Sequence, residues 1–396
     1  MKHSPHRPAV ILALAGPLLL PLPAAAFDAT GNAIADRFLE TVDAGNASVT
    51  GYDAVSESDG VVIITGLTAT IQDDDDTSRL SVATTEIENG ALATDGGLTA
   101  AFLEMRTVVI EAADGDDDVR VTVEAIAISD PVLPAPDTVR TSPDGDGLAP
   151  SYSRAELTGL VIETEDEGTI PIARAVAMID RMDGDLPTAG SILVEGIQIE
   201  ADALDEDERE ALAELGYDSL TLTLEARADW EPDTGALVVD TLTISGENAG
   251  TLTASLRLAG LTREVVEQLD AAQDNPEQAM GLMQGLLLEE ITLRIDNASL
   301  IERVLDRQAE EAGTTREAFV EQLAGALPMM LSILDNAEFQ TRVADAAGTF
   351  LRDPQSLSAT AKPAAPVAFA QILGTAMMAP QALPDILGVT ILANEN

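Results

Sequence analysis

From residue 48 to about 260 the chain repeats one theme, and that theme admits few folds. Short runs rich in Val, Ile, Leu and Thr are separated by turns rich in Asp and Gly. Val61-Val62-Ile63-Ile64 leads through Gly66 into Leu67-Thr68-Ala69-Thr70-Ile71, and the acidic run Asp73 to Asp76 ends it. Leu80, Val82 and Ile87 follow, then Asn89-Gly90. Val108-Val109-Ile110 and Val119 to Ile128 flank the acidic turn Asp114 to Asp118, a hairpin pattern. Leu220-Thr221-Leu222-Thr223-Leu224 alternates with period two, as a sheet with one covered face would. Val238 to Ile244 and Leu252 to Leu258 continue the pattern. Ile64-Thr65-Gly66-Leu67, Leu157-Thr158-Gly159-Leu160 and Val194-Glu195-Gly196-Ile197 form a loose repeat with glycine inside a strand. Such glycines mark bulges or bends. The pattern predicts a long, curved antiparallel sheet, and its irregular spacing argues against a regular solenoid.

Helical signals flank this region. Ile34, Phe38, Leu39 and Val42 share one face of a helix over 30–43, with Gly45 as its stop. Five prolines between residues 130 and 150 predict a long loop or linker. A helix over about 204–215 opens on the acidic turn Asp205 to Glu208, which suits the positive end of the helix dipole. After Thr262 the chain turns helical. One helix is expected over 262–286, weakened by Pro276 and Gly281, and a strand at Ile291, Leu293 and Ile295. Ser299 with Glu302, and Thr314 with Glu317, are capping-box patterns. Pro328 predicts a kink. Further helices are expected over 336–351 and 365–379, with closing strands at Leu357 to Ala361 and Val389 to Leu392. The fold class is therefore read as α+β: a long curved antiparallel sheet over a β-rich region, 27–261, and a helix-rich region with closing strands, 262–396.

Residues 1–26 read as a secretory signal. Lys2 and Arg7 are followed by the apolar run Ala9 to Leu22 and by Ala24-Ala25-Ala26 before Phe27. The expected product is periplasmic or secreted after cleavage following Ala26, with no stable transmembrane segment in the mature chain. No cysteine is present to carry a lipid anchor or a disulfide, so apolar burial must supply the stability. The net charge of −48 argues against nucleic-acid binding, which needs a basic footprint on phosphates. It also opposes electrostatic docking on anionic headgroups.

The chemistry-bearing motifs are sparse. Both histidines, His3 and His6, lie in the leader, so nothing downstream offers imidazole or thiol. Asp233-Thr234-Gly235 matches one half of an aspartic-protease site, but no second copy exists to share the proton. It reads better as a turn. Asp114, Asp116 and Asp118 have the alternation of a calcium loop, yet Val119 and Ala125 stand where its glycine and glutamate belong. Asp73 to Asp76 and Asp144-Gly145-Asp146-Gly147 are read as solvated turns, with calcium binding there as the alternative. No catalytic residue, metal site or cofactor is assigned.

Ala364 to Leu383 contains no charged residue. Two readings stand: a small-residue helix buried against the sheet, or a lipid-facing or pocket-lining helix. The ligand-lining candidates on the second reading are Val367, Phe369, Ile372, Leu373, Met377 and Met378.

The run Trp230-Glu231-Pro232-Asp233-Thr234-Gly235-Ala236-Leu237-Val238-Val239, with the x-Gly-Leu-x strands above, resembles repeats of AsmA-like bacterial envelope proteins. The resemblance covers about residues 50–300. It implies a long curved sheet in the periplasm and a role in envelope maintenance or lipid handling. The lack of a retained membrane anchor departs from that family and puts a bridging role between membranes in doubt. The reading is a non-enzymatic periplasmic cell-envelope protein that binds a lipid or other apolar ligand on its sheet, with lipid or envelope components as partners. The alternatives are a calcium-dependent surface or interaction module and a carboxylate-dependent hydrolase.

Overall fold

Alternating apolar residues fold here into antiparallel strands, seen in a computed structural model that describes residues 27–395 except 46, 74–75, 113–118, 142–150, 165–167, 185 and 273–274. The acidic turns at 114–118 and 144–147, and the middle of Asp73 to Asp76, lie outside the described residues. The architecture is α+β, antiparallel sheet with a helix-rich C-terminal part. The chain divides into two compact units, the first ending at Ile179 and the second starting at Asp180. The change from strand-rich to helix-rich sequence near residue 261 thus falls inside the second unit.

The first unit contains helix α1 (Ala33–Ala44) and strands β1 (Ala47–Gly51), β2 (Ala54–Ser58), β3 (Val61–Asp73), β4 (Asp76–Glu88), β5 (Ala91–Leu92), β6 (Leu98–Thr99), β7 (Phe102–Ala112), β8 (Val119–Ser129) and β9 (Val132–Leu133). The short helix α2 (Pro136–Thr141) follows, then β10 (Arg154–Thr164) and β11 (Gly168–Asp183), which runs on into the second unit. The sheet order is β1-β3-β4-β7-β8-β10-β11, with β2 also paired to β3. β5, β6 and β9 form a separate small sheet. The proline-rich stretch expected as loop thus contributes a strand and a helical turn.

Asn32 starts α1, its Oδ1 accepting from the amides of Ile34 and Ala35 at 3.0 and 3.1 Å. That satisfies two of the donors every helix start leaves unpaired. Ala35, Phe38 and Leu39 of α1 are buried together with Ile64, Leu67, Val82, Ile87 and Leu98.

Each strand of this core changes its alternation at one line. Val62 and Ile64 are buried, then Leu67 and Ala69; Val121 and Val123, then Ile126. The register puts Gly66 opposite Ala83, Ala83 opposite Thr107, Thr107 opposite Glu124 and Glu124 opposite Gly159. Gly66, Thr107 and Gly159 have φ of +65°, +53° and +61°. A one-residue slip on one strand alone would turn its apolar set to solvent. Here neighbouring strands slip on the same line, so the apolar face stays continuous.

Glu156 on β10 holds two guanidinium groups: Arg154 Nη2 at 2.7 Å and Arg174 Nε at 2.6 Å. The hydrogen bond from Arg174, then that from Arg154, holds the Glu156 carboxyl below the usual glutamate range. A depressed carboxylate contributes stability that is present above its unfolded value and is lost as pH falls through the folded one. The melting-temperature gap between wild type and Glu156→Gln should therefore narrow as pH drops below about 4. A gap that stays constant from neutral to acid pH would contradict this role.

The second unit contains β12 (Leu186–Glu200), α3 (Glu206–Glu214), β13 (Ser219–Glu231), β14 (Ala236–Gly246), β15 (Gly250–Ala259), α4 (Arg263–Asp270), α5 (Pro276–Met283) and β16 (Leu287–Asn297). It continues with α6 (Leu300–Glu311), α7 (Arg316–Met330), α8 (Ala337–Arg352), β17 (Ser356–Ala361), β18 (Val367–Ala368), α9 (Phe369–Met378), α10 (Leu383–Ile386) and β19 (Val389–Ala393). The order is β12-β13-β14-β15-β16-β17-β19, with β18 also on β16.

Several local expectations are corrected. The single helix over 262–286 is two, because Asn275 starts a second, accepting from Gln278 N at 3.3 Å, with Pro276 in its first turn. Ser299 does not cap α6; its hydroxyl donates to Asn248 O, and Asn297 Oδ1 accepts from Ile301 N at 2.9 Å instead. The cap of α7 is Thr315, one residue beyond Thr314. Pro328 lies in the last turn of α7, which runs on to Met330. Asp233-Thr234-Gly235 is a turn, with Gly235 at φ +70° and its amide bonded to Glu231 O at 2.8 Å.

Candidate functional site

The strands of the second unit align their apolar residues into rows that run across the sheet. One row is Ile192, Ala226, Leu242, Ala254, Leu293, Ala359 and Ile391, each directly opposite the next. Beside it runs Val194, Leu224, Ile244, Leu252, Ile295, Leu357 and Ala393. A third is Gly190, Ala228, Val239, Leu256, Ile291, Ala361 and Val389. Shifts of register near Asp240 and Ile197 keep these rows in phase. The first row alternates large and small side chains, which leaves a dent at each alanine.

The opposite face is polar. Thr243 and Thr253 approach at 3.4 Å, Ser245 and Thr251 at 3.1 Å, Thr292 and Thr360 at 3.1 Å. Arg294 sits beside this ladder and pairs with Asp296 at 2.6 Å. The sheet of this unit is therefore amphipathic.

The apolar face is closed at both strand ends. At one end Trp230, Leu258, Leu288 and Val367 are buried, in a row through Leu237. Trp230 Nε1 donates to Leu261 O at 2.6 Å, which satisfies the one polar atom of that ring. At the other end Leu220, in alternation with Leu222 and Leu224, packs on a cluster of Leu212, Tyr217 and Ala249. Arg303 lies over the Tyr217 ring at 4.2 Å and donates to the carbonyls of Leu215 and Gly216 at 2.8 and 2.7 Å.

Between these ends the face is open. Ile192, Leu242, Ile244, Leu252, Leu293 and Ile295 are each between 37% and 55% exposed. Single exposed apolar residues are ordinary, but a contiguous apolar band on a sheet is not. From β12 to β16, five strands at about 4.8 Å spacing make the open band roughly 19 Å long. That exceeds the roughly 15 Å that one acyl chain spans in half of a bilayer core. A cleft of about 360 Å³ lies at the β19 end of the rows, where Arg342, Asp345 and Ala346 of α8 meet Ile391 and Ala393, and another of about 520 Å³ lies in the first unit at Asp36, Arg37 and Asp137.

The sequence-derived lining residues are dispersed by comparison. Val367 is buried opposite Leu288, at the closed end of the band. Phe369, whose amide donates to Leu286 O at 3.0 Å, and Ile372 are half-buried. Leu373, Met377 and Met378 are exposed. No residue of this helix is buried, so the reading of a helix buried against the sheet is corrected: Phe369 and Ile372 are half-covered and the tip faces water. The open band is not among the sequence-derived candidates; its signal is the period-two pattern, which marks an apolar face without saying what covers it. Among the described residues no group of three His, Cys, Asp or Glu side chains is placed to hold a metal ion. No described helix is long and apolar enough to cross a membrane.

A family model described as an uncharacterized protein matches residues 243–394, from the middle of β14 through β19. No curated protein matches the chain.

Proposed function

We propose that this chain is an exported, non-enzymatic protein of the cell envelope that holds the acyl chain of a lipid, or another apolar ligand, on the open band of its second unit. The observation that carries this reading is the register-aligned exposure of Ile192, Leu242, Ile244, Leu252, Leu293 and Ile295. Each buried methylene of a bound chain contributes about 0.8 kcal/mol, so a chain of ordinary length offsets the cost of immobilising it. The leader pattern ending at Ala24-Ala25-Ala26 supports periplasmic placement. The absence of His and Cys beyond the leader fits a binding role.

A fatty acid carrying a photoreactive diazirine on its chain tests the location. After irradiation of the purified mature protein, peptide mapping should place saturable label on β14, β15 and β16. Label confined to the first unit, or label that does not saturate, would refute the reading.

A further inference from the structure

Two uncharged stretches of this strongly anionic chain each carry an adjacent pair of exposed methionines. Residues 322–334 and 364–384 carry no Asp, Glu, Lys or Arg. The first ends α7, and the second spans β18, α9 and the start of α10. The fold joins them: Asn336 Nδ2 donates to Gln381 O at 3.0 Å and to Asp385 Oδ2 at 3.3 Å.

On either side of this hydrogen bond along the chain, both segments present methionines to solvent. Met329 and Met330 are 76% and 58% exposed, and Met377 and Met378 are 81% and 87% exposed. Paired, flexible thioether side chains at the ends of α7 and α9 offer adaptable apolar surface. We propose that these two helix ends dock on a lipid bilayer of low surface charge.

Charge selects this occupant. Two copies of a strongly anionic chain repel each other, and so do the chain and an anionic membrane. A zwitterionic surface carries no such penalty, and an uncharged patch is what can approach it. Shallow insertion of apolar side chains at the headgroup boundary then supplies the attraction. The position fits the acyl-chain reading, on which this proposal rests for its purpose. α9 starts directly after β18, whose Val367 pairs with Leu288 at the closed end of the band.

Flotation with vesicles tests it. Wild-type protein should float with pure phosphatidylcholine vesicles. Vesicles enriched in phosphatidylglycerol should bind it less at low salt, with recovery as salt screens the repulsion. Met377→Glu combined with Met329→Glu should lower partitioning at least about tenfold, while Met377→Leu with Met329→Leu retains it. Far-UV circular dichroism melting of all variants should match wild type, because these side chains already face water. Absence of flotation, or equal flotation of the Glu variant, would overturn the proposal. So would a wild-type dimer that the Glu variant splits without any vesicle binding, because the face would then be a self-association surface. Binding of a fluorescent fatty acid in solution should be unchanged in the Glu variant. Loss of that binding in wild type with flotation intact would remove the acyl-chain reading and leave the docking surface standing.

Discussion

Replacing Gly159 by valine is expected to destabilise the protein by about 3 kcal/mol, whereas replacing Thr107 by glycine is expected to stabilise it by about 1 kcal/mol. Gly159 has φ +61°, and a Cβ there would lie 2.8 Å from Glu124 Cβ on the neighbouring strand. Valine adds both a conformational penalty and a clash with a side chain anchored near its backbone. Thr107 occupies the same left-handed region at φ +53° on the same line of the sheet. A β-branched residue there is strained, and glycine relieves that strain at a smaller entropic cost in the unfolded chain. At roughly 2–4 °C per kcal/mol, the valine variant should melt about 6–12 °C lower. Thermal melts with opposite signs at the two positions would support the coordinated line of kinks. Thr107→Gly melting well below wild type would argue that the threonine is held there by contacts that outweigh its strain.

That line also explains how far the fold was legible. The glycines at 66, 159 and 196 were visible as interruptions inside strands, and each has positive φ. Thr107 gave no such signal, because nothing in the residue type marks a left-handed position. Its place is set by the kinks on the strands around it. Strand existence was readable from alternation, and the closing strands lie close to where the pattern put them, at Ser356–Ala361 and Val389–Ala393.

Helix boundaries were less legible where two signals competed. Pro276 alone reads as a helix breaker, but one residue after Asn275 it begins a new helix. Ser299 looked like a cap by type and spacing. In the fold its hydroxyl lies near the Tyr217 hydroxyl, at 3.2 Å, and donates to Asn248 O, so Asn297 takes over the capping.

The candidate site was half legible for a related reason. Alternation along Leu220 to Leu224 identifies an apolar face, and hydropathy along Ala364 to Leu383 identifies an uncharged helix. Neither reports whether another element lies on top. Coverage is a long-range property, set here by where α3, α4, α6 and β18 meet the ends of the strands. The helix at 369–378 is legible because its sequence is continuous and uncharged. The band has no such local signal, because its exposed residues come from four separate strands, one or two from each.

The most direct test of the central claim is equilibrium binding of a fluorescent fatty acid to wild type and to Leu242→Glu combined with Leu293→Glu. These residues lie in one row, separated by Ala254, and are 50% and 49% exposed. In the free protein each new carboxylate faces water, so the melting temperature should change little, by the equivalent of roughly 0.5 kcal/mol or less per site. In the complex each carboxylate would lie against hydrocarbon without a partner, and the apolar contact of each leucine would be lost. Together these should weaken binding by at least about 3 kcal/mol, or roughly 100-fold in Kd. Wild type should bind saturably at one chain per molecule or more, and the double variant should bind about 100-fold more weakly with its fold intact. Equal affinities in the two proteins would contradict the account, as would no saturable binding in wild type.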